Sequence, residues 1–223
     1  MSTRSADYME ALDRLPDGAA LVVQDVPWED YEELLENLLS RPGVRVTYDQ
    51  GRLEIMSPLP EHERWKRFIE RVIDTVSDEL DINVEPLGST TWKKKQDAKG
   101  AEADTCYYVA NADQIIGKRD IDLSVDPPPD LVVEIDSTND SASKFPIYAT
   151  FGVPEIWRYG VKHHHVSMYQ LREKTYVEIP SSLSFPILTP AILANLIDQA
   201  KAQDQKTILA AFRRDIRDKK ERG

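Results

Sequence analysis

Apolar residues recur at helical spacing in two parts of the chain. Between residues 61 and 80 they fall every three or four positions, as on the buried face of an amphipathic helix. The members of this stripe are Trp65, Phe68, Ile69, Val72, Ile73, Val76 and Leu80. Residues 27–40 carry a leucine stripe that follows a proline suited to the first turn of a helix. The sequence therefore predicts one helix from Glu61 to Leu80 and another from Pro27 to Ser40.

Alternation with a period of two predicts strands in much of the remaining chain. Residues 44–56 alternate on both sides of Asp49-Gln50-Gly51, which predicts a β-hairpin. Further strands are predicted at residues 21–23, 84–91, 100–109, 130–136, 153–159, 166–171 and 176–179. Residues 92–100 are predicted to form a basic loop, and helical patterns return at residues 144–151, 188–197 and 207–212. Together these segments indicate an α/β chain.

The chain is predicted to form one domain with short additions at its two ends. Its 223 residues, 41% of them hydrophobic, suffice for a single core. Residues 1–20 contain few apolar side chains and are predicted to be an N-terminal arm. Residues 21–200 are predicted to be the folded domain, and residues 201–223 a basic C-terminal helix or tail.

Composition favours a cytoplasmic protein with no membrane partner. No apolar run approaches the roughly 20 residues that a membrane-spanning helix requires, and residues 1–15 are charged throughout. The single cysteine, Cys106, excludes an intrachain disulfide and suits a reducing compartment. A small buried thiol is the role expected for it.

Carboxylates gather on one face of the strand predicted at residues 130–136. Three prolines impose an extended approach to this strand, and the acids then alternate with aliphatic residues. The acids concerned are Asp130, Glu134 and Asp136 on this strand, and Glu102 and Asp104 on the strand predicted at residues 100–109. Partly buried carboxylates at close range need a cation, a basic partner or raised pKa values, and a hard divalent metal ion meets that need. The alternative is a set of solvated acids at strand ends.

Histidines occur in two places with different expectations. His62 lies between two glutamates in the first turn of the helix at residues 61–80, where it is predicted to contact a phosphate or to order a metal site. Helix capping in solvent is the alternative. His163, His164 and His165 are consecutive, and consecutive residues of a strand point to opposite faces, so they are not predicted to share one metal ion.

The net charge of −11 disfavours nonspecific attraction to a polyanion such as DNA. Local clusters of positive charge, rather than the total, contact phosphates. Two clusters are candidates, Lys93, Lys94 and Lys95 with Lys99, and Arg64, Lys66, Arg67 and Arg71. For each cluster the alternative is an ordinary solvated surface.

Six short motifs together resemble a known family. They are YDQGRLEIMSP at residues 48–58, EHE at 61–63, GSTTW at 88–92, EAD at 102–104, DLVVEID at 130–136 and GVPEIWRY at 152–159. Their combination resembles the Uma-type restriction endonuclease family, within the PD-(D/E)XK nuclease superfamily, over essentially the whole chain. The resemblance implies an α/β fold with a restriction-endonuclease-like core. In that core a four-stranded mixed central β-sheet is flanked by the helices at residues 61–80 and 144–151, and an N-terminal hairpin and helix are added.

The same resemblance implies a metal site for Mg²⁺, with Mn²⁺ as a substitute. Asp104 and Glu134 match the two metal-binding acids of the superfamily, and Glu102 or Asp136 would complete the ligand shell. His62 and Asp130 are accessory candidates at this site.

One position departs from the superfamily pattern. Asp136 stands where the superfamily has a lysine that orients or activates the attacking water. Lys144, on the following helix, is the first candidate to replace that lysine, and Lys95 is the second. A milder departure is Ala103, at a position where the family often has proline.

The function implied is a metal-dependent endonuclease that hydrolyses the phosphodiester bonds of DNA. A homodimer is expected, because a cut through both strands requires two active sites. The alternative is a catalytically inactive interaction module with the same fold, which the missing lysine and the net charge of −11 both favour.

Overall fold

A computed structural model describes residues 3–16, 18–39, 43–57, 59–137 and 140–222 of the chain. The helices are α1 (Thr3–Asp13), α2 (Trp28–Leu38), α3 (Pro60–Leu80), α4 (Ala112–Ile115), α5 (Phe145–Phe151), α6 (Pro190–Ala202) and α7 (Gln205–Arg222). The strands are β1 (Ala20–Val23), β2 (Arg45–Asp49), β3 (Arg52–Met56), β4 (Glu85–Gly88), β5 (Thr91–Lys94), β6 (Lys99–Glu102), β7 (Thr105–Tyr108), β8 (Leu131–Asp136), β9 (Glu155–Gly160), β10 (His165–Arg172) and β11 (Thr175–Glu178). The predicted helix end at Ser40 and the final proline of the motif at residues 48–58 lie outside the described residues.

The described strands form two sheets, and the expected mixed central sheet is one of them, with six strands instead of four. The first sheet has five antiparallel strands in the order β1-β3-β2-β6-β5. The second has six strands in the order β11-β10-β9-β8-β7-β4, and it is mixed because β8 and β9 run parallel. The predicted hairpin is therefore the centre of a complete sheet and not an addition to another one.

The strand predicted at residues 100–109 is divided between the two sheets. β6 pairs with β2 in the first sheet, whereas β7 pairs with β8 in the second. Ala103 and Asp104 lie at the break, and the Asp104 carboxylate accepts the Ile135 backbone N–H over 2.7 Å. The Asp104 side chain is thus the acceptor for the Ile135 N–H of β8, next to the point where the backbone pairing of β7 with β8 ends.

Two other segments differ from their predictions. The basic loop predicted at residues 92–100 is instead the hairpin of β5 and β6, joined by a short 3₁₀ turn at Lys95–Asp97. The predicted N-terminal arm contains helix α1, whose Leu12 is buried with Trp28 and Leu34 of α2. Helix α1 has few apolar residues, but packing of its Leu12 against α2 stabilises it.

Three apolar clusters surround the sheets. On β8, Leu131, Val133 and Ile135 face the cluster of α3, α6 and α7, whereas Val132 faces the cluster of α5. The predicted alternation of β8 is therefore confirmed, and Glu134 lies on the α5 side. The third cluster joins α1 and α2 to the five-stranded sheet. Within the described residues, none of the helices combines the length and apolar content needed to cross a bilayer.

Candidate active site

Asp104 and Glu134 lie opposite each other where the two sheets meet. β7 and β8 pair in a register whose last pair joins Thr105 to Val133, and Asp104 and Glu134 are the residues next to that pair. Both side chains line a cleft that contains about 490 Å³ of space, part of it open solvent. His62, Asp136, Lys144 and Arg45 line the same cleft.

The two oxygens of the Asp104 carboxylate have different surroundings. Oδ2 lies 2.7 Å from the Ile135 N–H and 2.9 Å from His62 Nε2. Oδ1 is buried without a hydrogen bond, and Arg45 Nε is 3.8 Å away. Burial alone would raise the pKa of Asp104, but the close His62 ring and the charge of Lys144 outweigh it and hold the pKa below its usual value. An ionised carboxylate is therefore fixed with one oxygen free.

Glu134 is fully buried against α5 and is bound by one donor from α5 and one from the turn before it. The Lys144 amine lies 2.8 Å from Oε2 and 3.1 Å from Oε1, and the Tyr148 hydroxyl donates a short hydrogen bond to Oε1. The same amine donates to the Glu102 carbonyl over 3.0 Å. Burial raises the pKa of Glu134 and the charge of Asp104 adds to this, so that Lys144 only partly offsets the rise. Glu134 therefore has both a proton donor and a permanent cation in contact.

Lys144 reaches this position because of the turn that precedes α5. Asp140 caps the 3₁₀ turn Ser141–Lys144 by accepting the Ala142 N–H over 2.7 Å. The Lys144 side chain is buried, and burial by itself would lower its pKa. The charges of Glu134 and Asp104 outweigh that effect and raise the pKa, so the amine stays protonated.

Glu102 and Asp136, the candidates to complete a metal shell, each form an ion pair with an arginine. Glu102 Oε1 is 3.1 Å from Arg45 Nη1, and burial raises the pKa of Glu102 to about 7. Asp136 forms a short ion pair with Arg158 Nε and accepts the Ser141 N–H over 3.1 Å. Burial outweighs that ion pair and raises the pKa of Asp136. In the described part of the chain, no group of three or more His, Cys, Asp or Glu side chains is gathered in a way that could hold a metal ion.

The structure does not bring Asp130 or Lys95 to the cleft. Asp130 orders the loop after β7, accepting the Val109 N–H, the Asn111 N–H and the Asn111 side chain over 2.7, 2.9 and 2.7 Å. Lys95 is exposed on the 3₁₀ turn, where its amine lies 3.4 Å from Glu29 Oε1. Asp130 precedes β8 at the end away from Glu134 and Asp136, and Lys95 lies at the tip of a hairpin.

The sequence did not single out Arg45 or Tyr148. Arg45 on β2 is 6% exposed and contacts Glu102, Asp104 and also Glu63, whose Oε1 is 3.4 Å from Nη2. In the sequence, Arg45 is only a charged residue at the start of the alternating hairpin, which is a weak indication of a role in the cleft. Tyr148 follows Lys144 by four residues, about one helical turn, and both side chains reach Glu134.

The basic clusters predicted from sequence are largely paired with acids. Lys93 binds Glu32, Lys99 binds Asp49, Lys66 binds Glu63, and Arg67 binds Glu70. Arg64 packs on the Trp65 ring, and Arg71 binds Gln205. These contacts reduce the charge that either cluster presents to a partner.

The free oxygen of Asp104 makes the donor set compatible with Mg²⁺ or Mn²⁺. Mg²⁺ prefers oxygen ligands and is commonly held by one or two carboxylates, with water at the other positions. Asp104 Oδ1 and the carboxylate of Glu134 supply this minimum at one end of the cleft.

Comparison with known proteins identifies the family. A family model described as "Uma2: Putative restriction endonuclease" matches residues 28–199. The solved structures include a similar chain, a putative nuclease belonging to DUF820 from Anabaena variabilis. It is 15% identical, and the match covers 72% of this chain and 97% of that chain with a TM-score of 0.47. No curated protein matches. Since the family model spans most of the sequence, the chain belongs to the Uma2 family of putative restriction endonucleases.

Proposed function

We propose that the protein is a Mg²⁺-dependent endonuclease that hydrolyses phosphodiester bonds of DNA at the cleft of Asp104 and Glu134. One observation carries the proposal. Asp104 Oδ1 is buried, ionised and without a hydrogen bond, in the same cleft as Glu134 and a protonated lysine amine. Family membership supports the same activity.

Asp104 and Glu134 would hold the ion, which when bound supplies Lewis acidity and lowers the pKa of a coordinated water. His62 Nε2 and the Ile135 N–H both contact Asp104 Oδ2, which leaves Oδ1 without a hydrogen bond. Tyr148 fixes Glu134 in the same way. The chain's own groups therefore orient both carboxylates before any ligand arrives.

Lys144 is proposed to take the part of the superfamily lysine. Its amine is anchored by the Glu102 carbonyl and the Glu134 carboxylate, and it is a permanent donor beside the proposed reaction centre. There it can donate a hydrogen bond to the attacking water or to a phosphoryl oxygen that gains negative charge. Asp136, which stands at the position of the superfamily lysine, forms an ion pair with Arg158. It therefore supplies no positive charge to the reaction centre.

A second candidate function is a noncatalytic interaction module. It is favoured by the charge compensation of the cleft, where Glu134, Glu102 and Asp136 all have basic partners without a metal ion. Such a site needs no ion for stability. The two functions differ in whether Mg²⁺ binds at Asp104.

A plasmid-nicking assay separates them. Purified protein is incubated with supercoiled DNA and Mg²⁺ or Mn²⁺, and Asp104→Asn, Glu134→Gln and Lys144→Met are compared with exposed controls Glu178→Gln and Lys174→Met. The proposal predicts that nicking is lost in the first three variants and retained in the controls. Nicking that persists in Glu134→Gln comes from a contaminant and contradicts the proposal. Calorimetric titration with Mg²⁺ gives a second readout, with binding expected to weaken in Asp104→Asn.

A further inference from the structure

The proposed active-site cleft carries the wrong charge to attract DNA by itself. Among its described lining residues, five carboxylates face two permanent cations, Arg45 and Lys144. Those carboxylates belong to Glu54, Asp104, Glu134, Asp136 and Asp140. The chain as a whole has a net charge of −11, so affinity for a polyanion must come from a local group of cations beside the cleft.

The floor of the cleft continues across two neighbouring strands. Asp136 is paired with Gly160 of β9, and Gly160 is paired with His165 of β10. The three positions form one row across the sheet, about 10 Å from the first backbone to the third. Tyr159 and Val161 point into the core on the other side, so the Gly160 position faces the side of Glu134 and Asp136.

Gly160 leaves the middle of this row open. A Cβ built at Gly160 would meet nothing within 4 Å except the His165 carbonyl oxygen, at 3.8 Å. A shallow path therefore runs from Asp136 to His165 without a side chain between them. An extended phosphate backbone can lie along such a path.

The path ends at a turn of exposed basic and imidazole side chains, the histidine turn, Lys162–His165. The Val161 N–H donates to the Asp136 carbonyl over 2.8 Å, which anchors the turn to the end of β8. Lys162 makes no ion pair within the described part of the chain. Lys201 of α6 adds a second ammonium group, whose Nζ lies 2.7 Å from His164 Nδ1 and 2.6 Å from Asp198 Oδ1. Because an ammonium group only donates, the His164 ring accepts through Nδ1 and presents its other nitrogen as a donor.

We propose that the histidine turn and Lys201 bind backbone phosphates of the DNA strand that enters the cleft across Gly160. This inference rests on the proposed function and adds the surface that holds the substrate. The contacts are to phosphates, so they position the strand and do not select a sequence. Unlike the largely paired clusters on β5 and α3, this surface includes a lysine, Lys162, that makes no ion pair in the described part of the chain.

Fluorescence anisotropy with a labelled DNA duplex tests the charge contribution. Binding is measured at pH 7.5 in EDTA over a range of salt concentrations, so that no cleavage occurs. Lys162→Ala combined with Lys201→Ala is expected to weaken binding about tenfold and to reduce the slope of log K against log salt by about 2. The matched control is Arg172→Ala with Lys174→Ala, which removes two exposed charges at the opposite end of β10.

Gly160→Leu tests the path itself without changing charge. The open space at this position accommodates a side chain, so thermal unfolding is expected to stay unchanged while DNA binding weakens at least fivefold. A loss of stability in this variant would contradict the open path, and unchanged affinity would contradict its use.

Failure of this inference and failure of the proposed function are distinguishable. If the wild type nicks DNA but the lysine variant keeps its affinity and salt slope, the inference is wrong and the nuclease stands. If the lysine variant loses affinity but no preparation nicks DNA, the surface stands and the nuclease is contradicted. A wild type that does not bind the duplex overturns both.

Discussion

The Lys144 amine lies 2.8 Å from Glu134 Oε2, and both groups are buried at the junction of the two sheets. The lysine comes from the turn before α5 and the glutamate from β8, ten residues earlier in the chain. In the superfamily pattern the lysine stands two positions after the glutamate, the place of Asp136 here, and would approach from the same strand. The pair thus supplies a cation to the proposed reaction centre from a different element of the fold.

The pair predicts a large loss of stability when only one member is removed. Lys144→Met leaves Glu134 buried without its cation, and we expect a loss of about 3–5 kcal/mol in the free energy of unfolding at pH 8. The double variant with Glu134→Gln is expected to lose less than the sum of the two single variants. Urea unfolding of all three measures this coupling. Lys66→Met is the matched control, because the side chain of Glu63, the partner of Lys66, is 40% exposed. The loss of unfolding free energy in Lys66→Met should therefore be smaller.

Arg45 is predicted to matter more at neutral pH than at acidic pH. The pKa of Glu102 is raised to about 7 by burial, so at pH 5 this carboxyl is mostly protonated and needs no cation. Arg45→Met should therefore destabilise the fold by about 2–4 kcal/mol at pH 7.5 and by clearly less at pH 5. Urea unfolding at the two values checks this difference. Equal losses at both would show that the charge of Glu102 does not explain the effect of Arg45.

The metal-free protein is predicted to lose stability as the pH rises from about 5 to about 7. An acid with a raised pKa binds its proton more tightly in the folded state, so between its unfolded and folded pKa values stability falls with pH. Glu102 titrates in the folded state at about 7, and burial raises the pKa of Glu134 as well. Asp104, whose pKa is lowered, contributes only at more acidic values.

Glu102→Gln should flatten this dependence. One pKa unit corresponds to about 1.4 kcal/mol, so the substitution can remove up to about 3 kcal/mol of variation across the interval. Chemical denaturation at several pH values gives the measurement. A pH profile identical to that of the wild type would exclude Glu102 as a source of the slope.

Gly100 on β6 is predicted to tolerate no side chain. A Cβ there would lie 2.0 Å from the Tyr31 hydroxyl oxygen and 2.7 Å from its ring. Tyr31 is buried in the core of α2 and the five-stranded sheet, where it cannot move aside easily. Gly100→Ala should therefore cost about 2–3 kcal/mol. Thermal unfolding measures the loss, and Gly160→Ala, with open space at its Cβ, should leave the melting temperature unchanged.

Local pattern was sufficient to predict the most regular parts of the fold. The stripe of α3 and the alternation of β8 are determined by short-range spacing, and the structure confirms both. The division of residues 100–109 between two sheets was not predictable in this way. It depends on the pairing of β6 with β2 and of β7 with β8, which are distant in sequence.

The same distinction applies to the cleft. Asp104, Glu134 and Lys144 were singled out by alternation and family resemblance, and the structure brings them together. Arg45 contacts Glu102, which is 57 residues away in the sequence, and a local sequence pattern cannot predict such a contact. Lys95, the second candidate for the lysine, lies in the segment predicted to be a basic loop, and the pairing of β5 with β6 places it on the turn of a hairpin.

Anomalous diffraction from a crystal soaked in Mn²⁺ tests the central claim most directly. The account predicts one strong peak within about 2.3 Å of Asp104 Oδ1 and of a Glu134 oxygen, with Lys144 Nζ still in the cleft. The peak should disappear in Asp104→Asn. A peak at any other place in the protein would contradict the account. So would the absence of a peak in a crystal where Asp104 and Glu134 keep their metal-free contacts.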